Sequence, residues 1–219
     1  MANLVVNTFV AGGWVMWPIL GAFLLALCVI LERAIWWLRL RAALRPALQE
    51  KVREALGKGE FERIWQLAKE AGNDPYLDNL VVGAEHTRTS MLAAMQLDAT
   101  HLIEKAEARM WVLSTLITLA PLLGLFGTVI GIMSSFSFMG DETRAAAELS
   151  GGIGEALIAT ACGIGIAMFC LLPYNFLRRQ VSLLRGSLER WINHAELLVQ
   201  AARAHGHDLE EHLIKRMSR

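Results

Sequence analysis

The hydrophobic residues of this chain are concentrated in three long stretches that contain no charged residue. They cover residues 1–31, most densely 14–31, then residues 110–140 and residues 156–177. A helix needs roughly 20 apolar residues to cross the hydrocarbon core of a bilayer. Each stretch reaches that length, so the pattern predicts an all-α, polytopic membrane protein with three transmembrane helices.

The first stretch also has the length of a secretory signal peptide. It lacks a basic segment before its apolar part, and Glu32, Arg33 and then Ile35, Trp36 and Trp37 follow it in place of small cleavage-site residues. We therefore expect an uncleaved membrane anchor, with Trp14 and Trp17 at one membrane interface and the tryptophan pair at the other.

The polar segments have the periodicity of helices. Residues 60–71 carry apolar side chains at helical spacing and stop at Gly72, a further helix is expected from Pro75, and Ser90 is a candidate N-cap for a third. If that third helix ran unbroken to residue 139, it would be roughly 75 Å long at 1.5 Å per residue. We expect the transmembrane helices to extend into a cytoplasmic helical bundle.

The tail from residue 178 to about 204 is amphipathic. One side of its helical pattern is apolar, which predicts packing on the cytoplasmic helices or on a neighbouring subunit. The residues of that side are Val181, Leu184, Leu188, Trp191, Ile192 and Ala195.

The distribution of Lys and Arg predicts the orientation. Residues 32–109 hold twelve of the 21 basic residues and residues 178–219 hold eight, whereas Arg144 alone lies between the second and third stretches. Basic residues stay on the cytoplasmic side of a membrane. The predicted segments are a periplasmic N-terminus (1–13), helix one (14–31), a cytoplasmic helical loop (32–109), helix two (110–139), a short periplasmic turn (140–154), helix three (155–177) and a cytoplasmic C-terminal helix and tail (178–219).

Composition excludes several functions. The formal net charge is zero, which gives no basic excess for nucleic-acid binding. The cysteines Cys28, Cys162 and Cys170 lie in apolar stretches without metal-ligand or redox spacing, as small apolar residues do. We find no nucleophile–base pair and no nucleotide loop, so we expect neither an enzyme nor a cofactor.

The tail contains a group of residues with the chemistry of metal ligands: His205, His207, Asp208 and His212. Their spacing allows metal binding. A solvated terminal segment explains them as well, and we assign no metal.

Small and hydroxyl-bearing residues form a stripe along one face of each of the last two transmembrane helices. Such stripes commonly serve close helix packing, as in GxxxG motifs. Thr128 and Thr160, however, place hydroxyls deep in the hydrocarbon, where they need a backbone carbonyl or water in a pore. Both interpretations stay open. The stripes are Ser114, Thr118, Pro121, Gly124, Thr128, Gly131 and Ser135 in helix two, and Ala156, Thr160, Gly163, Ala167, Cys170 and Tyr174 in helix three.

Glu155 is the acidic residue at the start of the third stretch, and the interiors of all three stretches lack Asp, Glu, Lys, Arg and His. Its carboxylate is favoured by the helix macrodipole or by a polar cavity that it shares with Thr160. A proton relay normally needs a titratable group within the membrane. If protons cross here, a second protein is expected to supply the central carboxylate.

Two sequence blocks are similar to those of TolQ and ExbB, of the MotA/TolQ/ExbB proton channel family. APLLGLFGTVIGIM at residues 120–133, followed by Phe136, resembles their second-helix motif, and GIGEALIATA at residues 152–161, ending at Tyr174 and Asn175, resembles their third. Trp17-Pro18-Ile19-Leu20 and Leu31-Glu32-Arg33 fit as well. The likeness covers all three helices in order.

The resemblance implies a homopentamer in the bacterial inner membrane, around the single-span helices of a partner dimer of the ExbD/TolR type. The partner's membrane aspartate carries protons, and their flow drives movement for envelope transport or integrity. The functional positions carried over are the pore-facing hydroxyls Thr128 and Thr160 and the periplasmic carboxylate Glu155. The pore packing stripe is Pro121, Gly124, Gly131, Ser135, Gly163 and Ala167.

Two positions depart from the family pattern. Ala167-Met168-Phe169 occupies the middle of helix three, where proline is common, and Pro173 follows later; Gly154 precedes the glutamate in place of Ser or Ala. A non-conducting membrane scaffold is the alternative function. The envelope process and the partner's identity do not follow from the sequence.

Overall fold

The computed structural model describes residues 9–87, 90–136 and 145–205, with the side chains of 145–150 left out. The described residues contain helices and turns but no strand, which confirms the all-α class. We number the helices α1 (Met16–Ala43), α2 (Pro46–Gly57), α3 (Phe61–Ala71), α4 (Pro75–Glu85), α5 (Met91–Glu107), α6 (Met110–Phe136) and α7 (Ala145–Ala204).

Three helical stretches are long and apolar enough to cross a membrane, which agrees with the three predicted spans. They are Met16–Ala43, Met91–Phe136 and Gly151–Ala204, each with a window of mean hydropathy of at least 2.1. The chain divides into two compact units: residues 1–34 with 109–177, and residues 35–108 with 178–219. We call them the span unit and the helical unit.

The span unit is built from the first part of α1, from α6 and from the first part of α7. Buried residues at the start of α1 and just before it recur at steps of four and three, which places them on one helical face: Val15, Ile19, Ala22, Ala26 and Val29. Aromatic contacts join this helix to the other two. Trp14 meets Phe126 of α6 edge-on with ring centroids 6.4 Å apart, and Phe23 lies 5.4 Å from Phe169 of α7.

The predicted continuous helix from Ser90 to residue 139 is interrupted at Ala108 and Arg109. Arg109 has φ 61°, a left-handed conformation that a side chain with a Cβ adopts at a cost. Its guanidinium lies 2.5 Å from the Glu32 carboxylate, which also accepts a hydrogen bond from Arg33 at 2.7 Å. The ion pair accompanies this left-handed turn, and α5 and α6 are separate helices because the helical backbone is broken at these two residues.

Three of the helix ends in the helical unit lie where the sequence predicts them: the stop at Gly72 and the starts at Pro75 and Ser90. Gly72 ends α3 with φ +72°, and Ser90 caps α5 by accepting a hydrogen bond from the Ala93 N–H at 3.2 Å. Asp74 caps α4 and is fully buried; its carboxylate accepts from the N–H groups of Tyr76 and Arg45. One side chain thus joins the start of α4 to the start of α2.

The end of α7 packs within the helical unit, and its predicted apolar side is buried throughout. Its six residues are between 1% and 7% exposed. The Trp191 ring lies edge-on to Tyr76 of α4, at 5.9 Å, and Arg185 pairs with Glu107 of α5 at 3.1 Å. The helix therefore packs on the other helices of the helical unit of its own chain, one of the two predicted arrangements.

One helix end differs from the predicted segments. The helix that contains the third span starts at Ala145, inside the predicted turn, because Ala, Glu and Leu at 145–149 favour helix. Trp37 is 9% exposed within the subunit and meets Trp36 edge-on with ring centroids 5.3 Å apart; the place of the pair at a membrane interface stays a prediction. Residues 137–144, which hold the rest of that turn, lie outside the described residues.

We predict that Asp74→Asn destabilises the helical unit by about 1–3 kcal/mol, the cost of leaving buried donors without acceptors. The amide group of Asn would turn an N–H₂ toward the backbone N–H of Arg45 or Tyr76. Thermal unfolding of the detergent-solubilised protein, followed by circular dichroism, measures the effect.

Asp78→Asn is a control with the same change in charge. Asp78 is exposed on α4; partial burial of its carboxyl group, and then the neighbouring carboxylates of Asp74 and Asp98, raise its pKa. A raised carboxyl pKa means that the ionised form is penalised in the folded state, so Asp78→Asn leaves the stability at pH 7 unchanged or slightly higher. Equal losses in the two variants would contradict the assignment of Asp74 as the cap.

Candidate functional site: the contact between the second and third spans

Helices α6 and α7 approach each other at backbone distance through glycine. A Cβ at Gly124 would lie 2.8 Å from the Thr160 Cα and 2.9 Å from the Ala159 carbonyl oxygen, and one at Gly163 would overlap the Ala120 carbonyl oxygen. Both glycines are buried. Between helices in lipid, such contact supplies the van der Waals attraction that holds them together.

A second close contact lies toward the C-terminal end of α6. A Cβ on Gly131 would lie 3.1 Å from the Gly152 carbonyl oxygen and 3.2 Å from the Ala156 Cβ, and one on Gly152 would overlap the hydroxyl of Ser135. Ser135 is 4% exposed and donates its hydrogen bond to the Gly131 carbonyl at 2.9 Å. The hydroxyl is therefore satisfied inside its own helix.

Thr160 is the hydroxyl that links the two helices. Its Oγ1 donates to the carbonyl oxygen of Gly124 at 3.0 Å, and the side chain is half-buried. A carbonyl oxygen has two lone pairs, so it can take this bond beside its own helical partner. The absence of a side chain at Gly124 makes room for the approach.

Thr128 lies one turn beyond Gly124 on α6 and is also half-buried. Its Oγ1 donates to the Leu125 carbonyl of its own helix at 2.6 Å. Thr128 and Thr160 therefore lie near the same glycine, but their hydroxyls bond to different carbonyl oxygens. A lone pair on the Thr128 oxygen is left to accept a hydrogen bond from another molecule.

Glu155 lies at the start of the third span and is half-buried, beside the N-terminal segment. A Cβ added to Gly13 would overlap the Glu155 carboxylate, and Gly13 has φ +68°. Glycine is therefore favoured at position 13 for two reasons: its backbone is left-handed, and a side chain there would occupy the place of the carboxylate. Sequence reasoning missed this residue; the Gly12–Gly13 pair directly before the first span was the available signal.

The packing stripe predicted from the sequence is mostly buried between helices. Gly124, Gly131, Ser135, Gly163 and Ala167 are buried and Pro121 is half-buried. Each helix thus presents much of its small-residue side to another helix of the same chain. Cys170 of the α7 stripe is buried, whereas Thr118 of the α6 stripe is exposed.

Within the described ranges, no group of three or more His, Cys, Asp or Glu side chains is arranged to hold a metal ion. His205 bonds the Ala201 carbonyl of its own helix at 2.7 Å. The other candidate ligands in the tail, His207, Asp208 and His212, lie outside the described residues.

A family model for the MotA/TolQ/ExbB proton channels matches residues 66–190, more than half of the chain. The chain belongs to this family. The match includes all of the α6–α7 contact described above, and relatives with the names ExbB-like and TolQ place the chain in the TolQ/ExbB branch.

Three relatives illustrate the similarity. An ExbB-like biopolymer transport protein of Synechocystis sp., ExbB-like 3, is 35% identical over 77% of this chain and 82% of its own length. TolQ of the Tol-Pal system of Haemophilus influenzae is 39% identical over 42% of this chain and 40% of its own length. The biopolymer transport protein ExbB of Neisseria gonorrhoeae is 42% identical over 37% and 38%.

We predict that Gly124→Ala and Gly163→Ala lower the thermal unfolding temperature and loosen the α6–α7 contact. Each new methyl group would meet backbone atoms of the other helix, which move only if the helices separate, and overpacking of this kind costs typically 1–3 kcal/mol. Unfolding in detergent, and crosslinking between cysteines placed on the two helices, measure the loss.

Gly165→Ala is the matched control on the same helix, since a Cβ there meets nothing within 4 Å. It adds the same methyl group to the span and should leave both measurements unchanged within the subunit. If Gly163→Ala behaved like Gly165→Ala, the close contact would not be the interaction that holds the two helices together.

Proposed function

We propose that this protein is the channel and stator subunit of a proton-driven motor in the bacterial inner membrane. It acts with a single-span partner of the ExbD/TolR type and converts the proton-motive force into movement of that partner. The observation that carries the proposal is the Thr160–Gly124 hydrogen bond. It sets a hydroxyl at the contact between two membrane helices whose interiors have no Asp, Glu, Lys, Arg or His.

The absence of an acid from the spans supports the need for a partner. The apolar stretches 110–140 and 156–177 contain hydroxyl groups but no carboxylate, imidazole or amine. A hydroxyl can donate and accept hydrogen bonds, but at neutral pH it neither takes up an additional proton nor releases its own. A carboxyl group that takes up and releases protons must then come from another chain.

The uncovered surface of the single subunit supports assembly. Several large apolar side chains of α6 are at least 40% exposed, and on α7 the small residues Gly154, Ala161 and Gly165 are exposed or half-exposed. Lipid accounts for part of such a surface, and neighbouring subunits and the partner helix for the rest. We propose a homo-oligomer, for which the family resemblance implies five copies. The exposed apolar residues of α6 include Leu122, Leu125, Phe126, Val129, Ile132 and Met133.

The charge distribution supports the orientation. With a periplasmic N-terminus, Glu155 faces the periplasm and the helical unit lies in the cytoplasm, where its basic residues are favoured. Glu155 is then placed to attract protons at the mouth of the channel, since a partly buried carboxylate raises the local concentration of cations.

We predict that Thr160→Val abolishes or strongly reduces proton flux. Valine keeps the shape of the side chain but removes the hydroxyl, whose proton bonds the Gly124 carbonyl and whose free lone pair can accept a hydrogen bond along the pathway. The loss of one hydrogen bond worth about 1–1.5 kcal/mol corresponds to a roughly tenfold decrease. Proteoliposomes that contain the protein and a single-span partner of the ExbD/TolR type, loaded with a pH-sensitive dye, measure the flux.

Thr160→Ser should restore the flux, because serine keeps the donor. Thr115→Val is the matched control: Thr115 is exposed and bonds the Trp111 carbonyl of its own helix at 2.9 Å. Co-purification of the partner checks that each complex is assembled. Undiminished flux through an assembled Thr160→Val complex would favour the alternative, a membrane scaffold that conducts nothing.

We predict that Glu155→Gln lowers proton flux about tenfold, the smaller end of the range for electrostatic concentration of ions in a cleft. Gly13→Ala should give a similar loss while Glu155 itself is intact, because the new methyl group displaces the carboxylate. Gly21→Ala, which meets nothing within 4 Å, is its control. Normal flux in both Glu155→Gln and Gly13→Ala would remove Glu155 from the pathway.

A further inference from the structure

A cavity of about 350 Å³ lies in the helical unit. It shares no residue with the α6–α7 contact, and its lining is polar and cationic. Seven residues from three helices line it: Gln49 and Arg53 of α2, Tyr76 of α4, and Ser187, Arg190, Trp191 and His194 of α7. Its size falls within the range of small-molecule sites. Two of the lining residues are arginines, and none of them is an acid.

The periodicity of the helices brings these side chains together. Ser187, Arg190, Trp191 and His194 follow one another at steps of three, one and three, and Gln49 and Arg53 are four residues apart. Residues three and four apart share a helical face. The cavity therefore lies where these faces of α2 and α7 meet, and Tyr76 of α4 also lines it.

The two hydroxyls of the wall are already satisfied by the protein. Ser187 donates its single proton to the Leu184 carbonyl at 2.8 Å, so Tyr76, 2.6 Å away, donates to the Ser187 oxygen. Gln49 donates its amide to the Asp74 carboxylate at 2.9 Å. These groups fix the wall in place and leave ligand binding to the cationic side chains.

Arg190 is the cation with unused donors. It is exposed, and among the described residues it has neither a carboxylate partner nor a hydrogen bond. Its guanidinium lies beside Gly186, one turn earlier on α7: a Cβ added to that glycine would be 3.4 Å from Nη1 of Arg190. All five of its N–H groups are available to an anion.

Arg53 contributes a second guanidinium that is held in place but still accessible. It lies over the Trp191 ring at 5.9 Å and pairs with Glu50 at 2.9 Å, with 40% of its own side chain exposed. An exposed ion pair of this kind contributes little and yields readily to a better acceptor. His194 adds a ring nitrogen on the same side of α7 as Arg190.

We propose that this cavity binds a phosphate-bearing anion, with Arg190 and Arg53 as its charged ligands and His194 as an additional donor. The planar guanidinium matches the oxygens of a phosphate group in a bidentate manner, and two of them in one pocket favour a dianion. The rings of Trp191 and Tyr76 form a wall for whatever the phosphate is attached to. A free phosphate compound and a phospholipid headgroup share this chemistry.

Binding is tested on the full-length protein in detergent. Titration calorimetry with pyrophosphate, at ionic strength balanced by chloride, should give saturable binding of one anion per subunit. Arg190→Gln should weaken it at least about tenfold, the value of one charge-assisted hydrogen bond. Arg179→Gln removes the same charge from an exposed site on the same helix, outside the cavity, and should bind as the parent does.

A second arm identifies the source of the phosphate. Native mass spectrometry of the protein, after incubation with phosphatidylglycerol, counts the lipid molecules that it retains. Retention by the parent and Arg179→Gln but not by Arg190→Gln assigns the cavity to a headgroup, and pyrophosphate binding with that pattern assigns it to a soluble compound. No binding in either arm, or equal losses in both variants, would overturn the proposal. Neither arm needs proton flux or the partner, so the result is independent of the proposed channel.

Discussion

The approach of α6 to α7 at backbone distance is the constraint on which the span unit depends. Lipid gives two apolar helices no hydrophobic reason to associate, so attraction must come from contact area and from polar groups that find partners inside the protein. Gly124 and Gly163 supply the contact, and Thr160 supplies a hydrogen bond to the carbonyl that Gly124 leaves open. The packing and the hydroxyl on which the proposed function rests thus depend on the same missing side chain.

Much of this arrangement could be predicted from the sequence, because it depends on patterns that repeat every three or four residues and on single capping residues. The three apolar stretches, the cap at Ser90, the stop at Gly72 and the buried side of the tail helix follow from local rules that do not need the rest of the chain. The small-residue stripes could be found in the same way, but not which of their members face another helix of the subunit. Thr118 and Gly124 have the same helical periodicity, yet one is exposed and the other buried, since that depends on where α7 lies.

What the sequence could not predict arises from contacts between distant residues. The break at Arg109 has no glycine or proline to indicate it; a long-range ion pair with Glu32 stabilises a conformation that the residue would otherwise avoid. The cap by Asp74 reaches back to Arg45, and the carboxylate of Glu155 rests against Gly13. Each pairs a residue with a partner at least 29 positions away, and periodicity carries no information over such distances.

Under the proposed function, the distribution of ionisable groups keeps the subunit from conducting protons without its partner. A carboxylate fixed in the spans would hold a proton within reach of both sides of the membrane at all times. Hydroxyls such as those of Thr128 and Thr160 stay neutral, and both are bonded to backbone carbonyls within this chain. Under the proposed function, the pathway is therefore incomplete until the partner's acid enters it, and protons cross only where their passage can move that partner. Each proton that crosses a potential of 100 mV releases about 2.3 kcal/mol, and a proton that crosses outside the complex does no work on the partner.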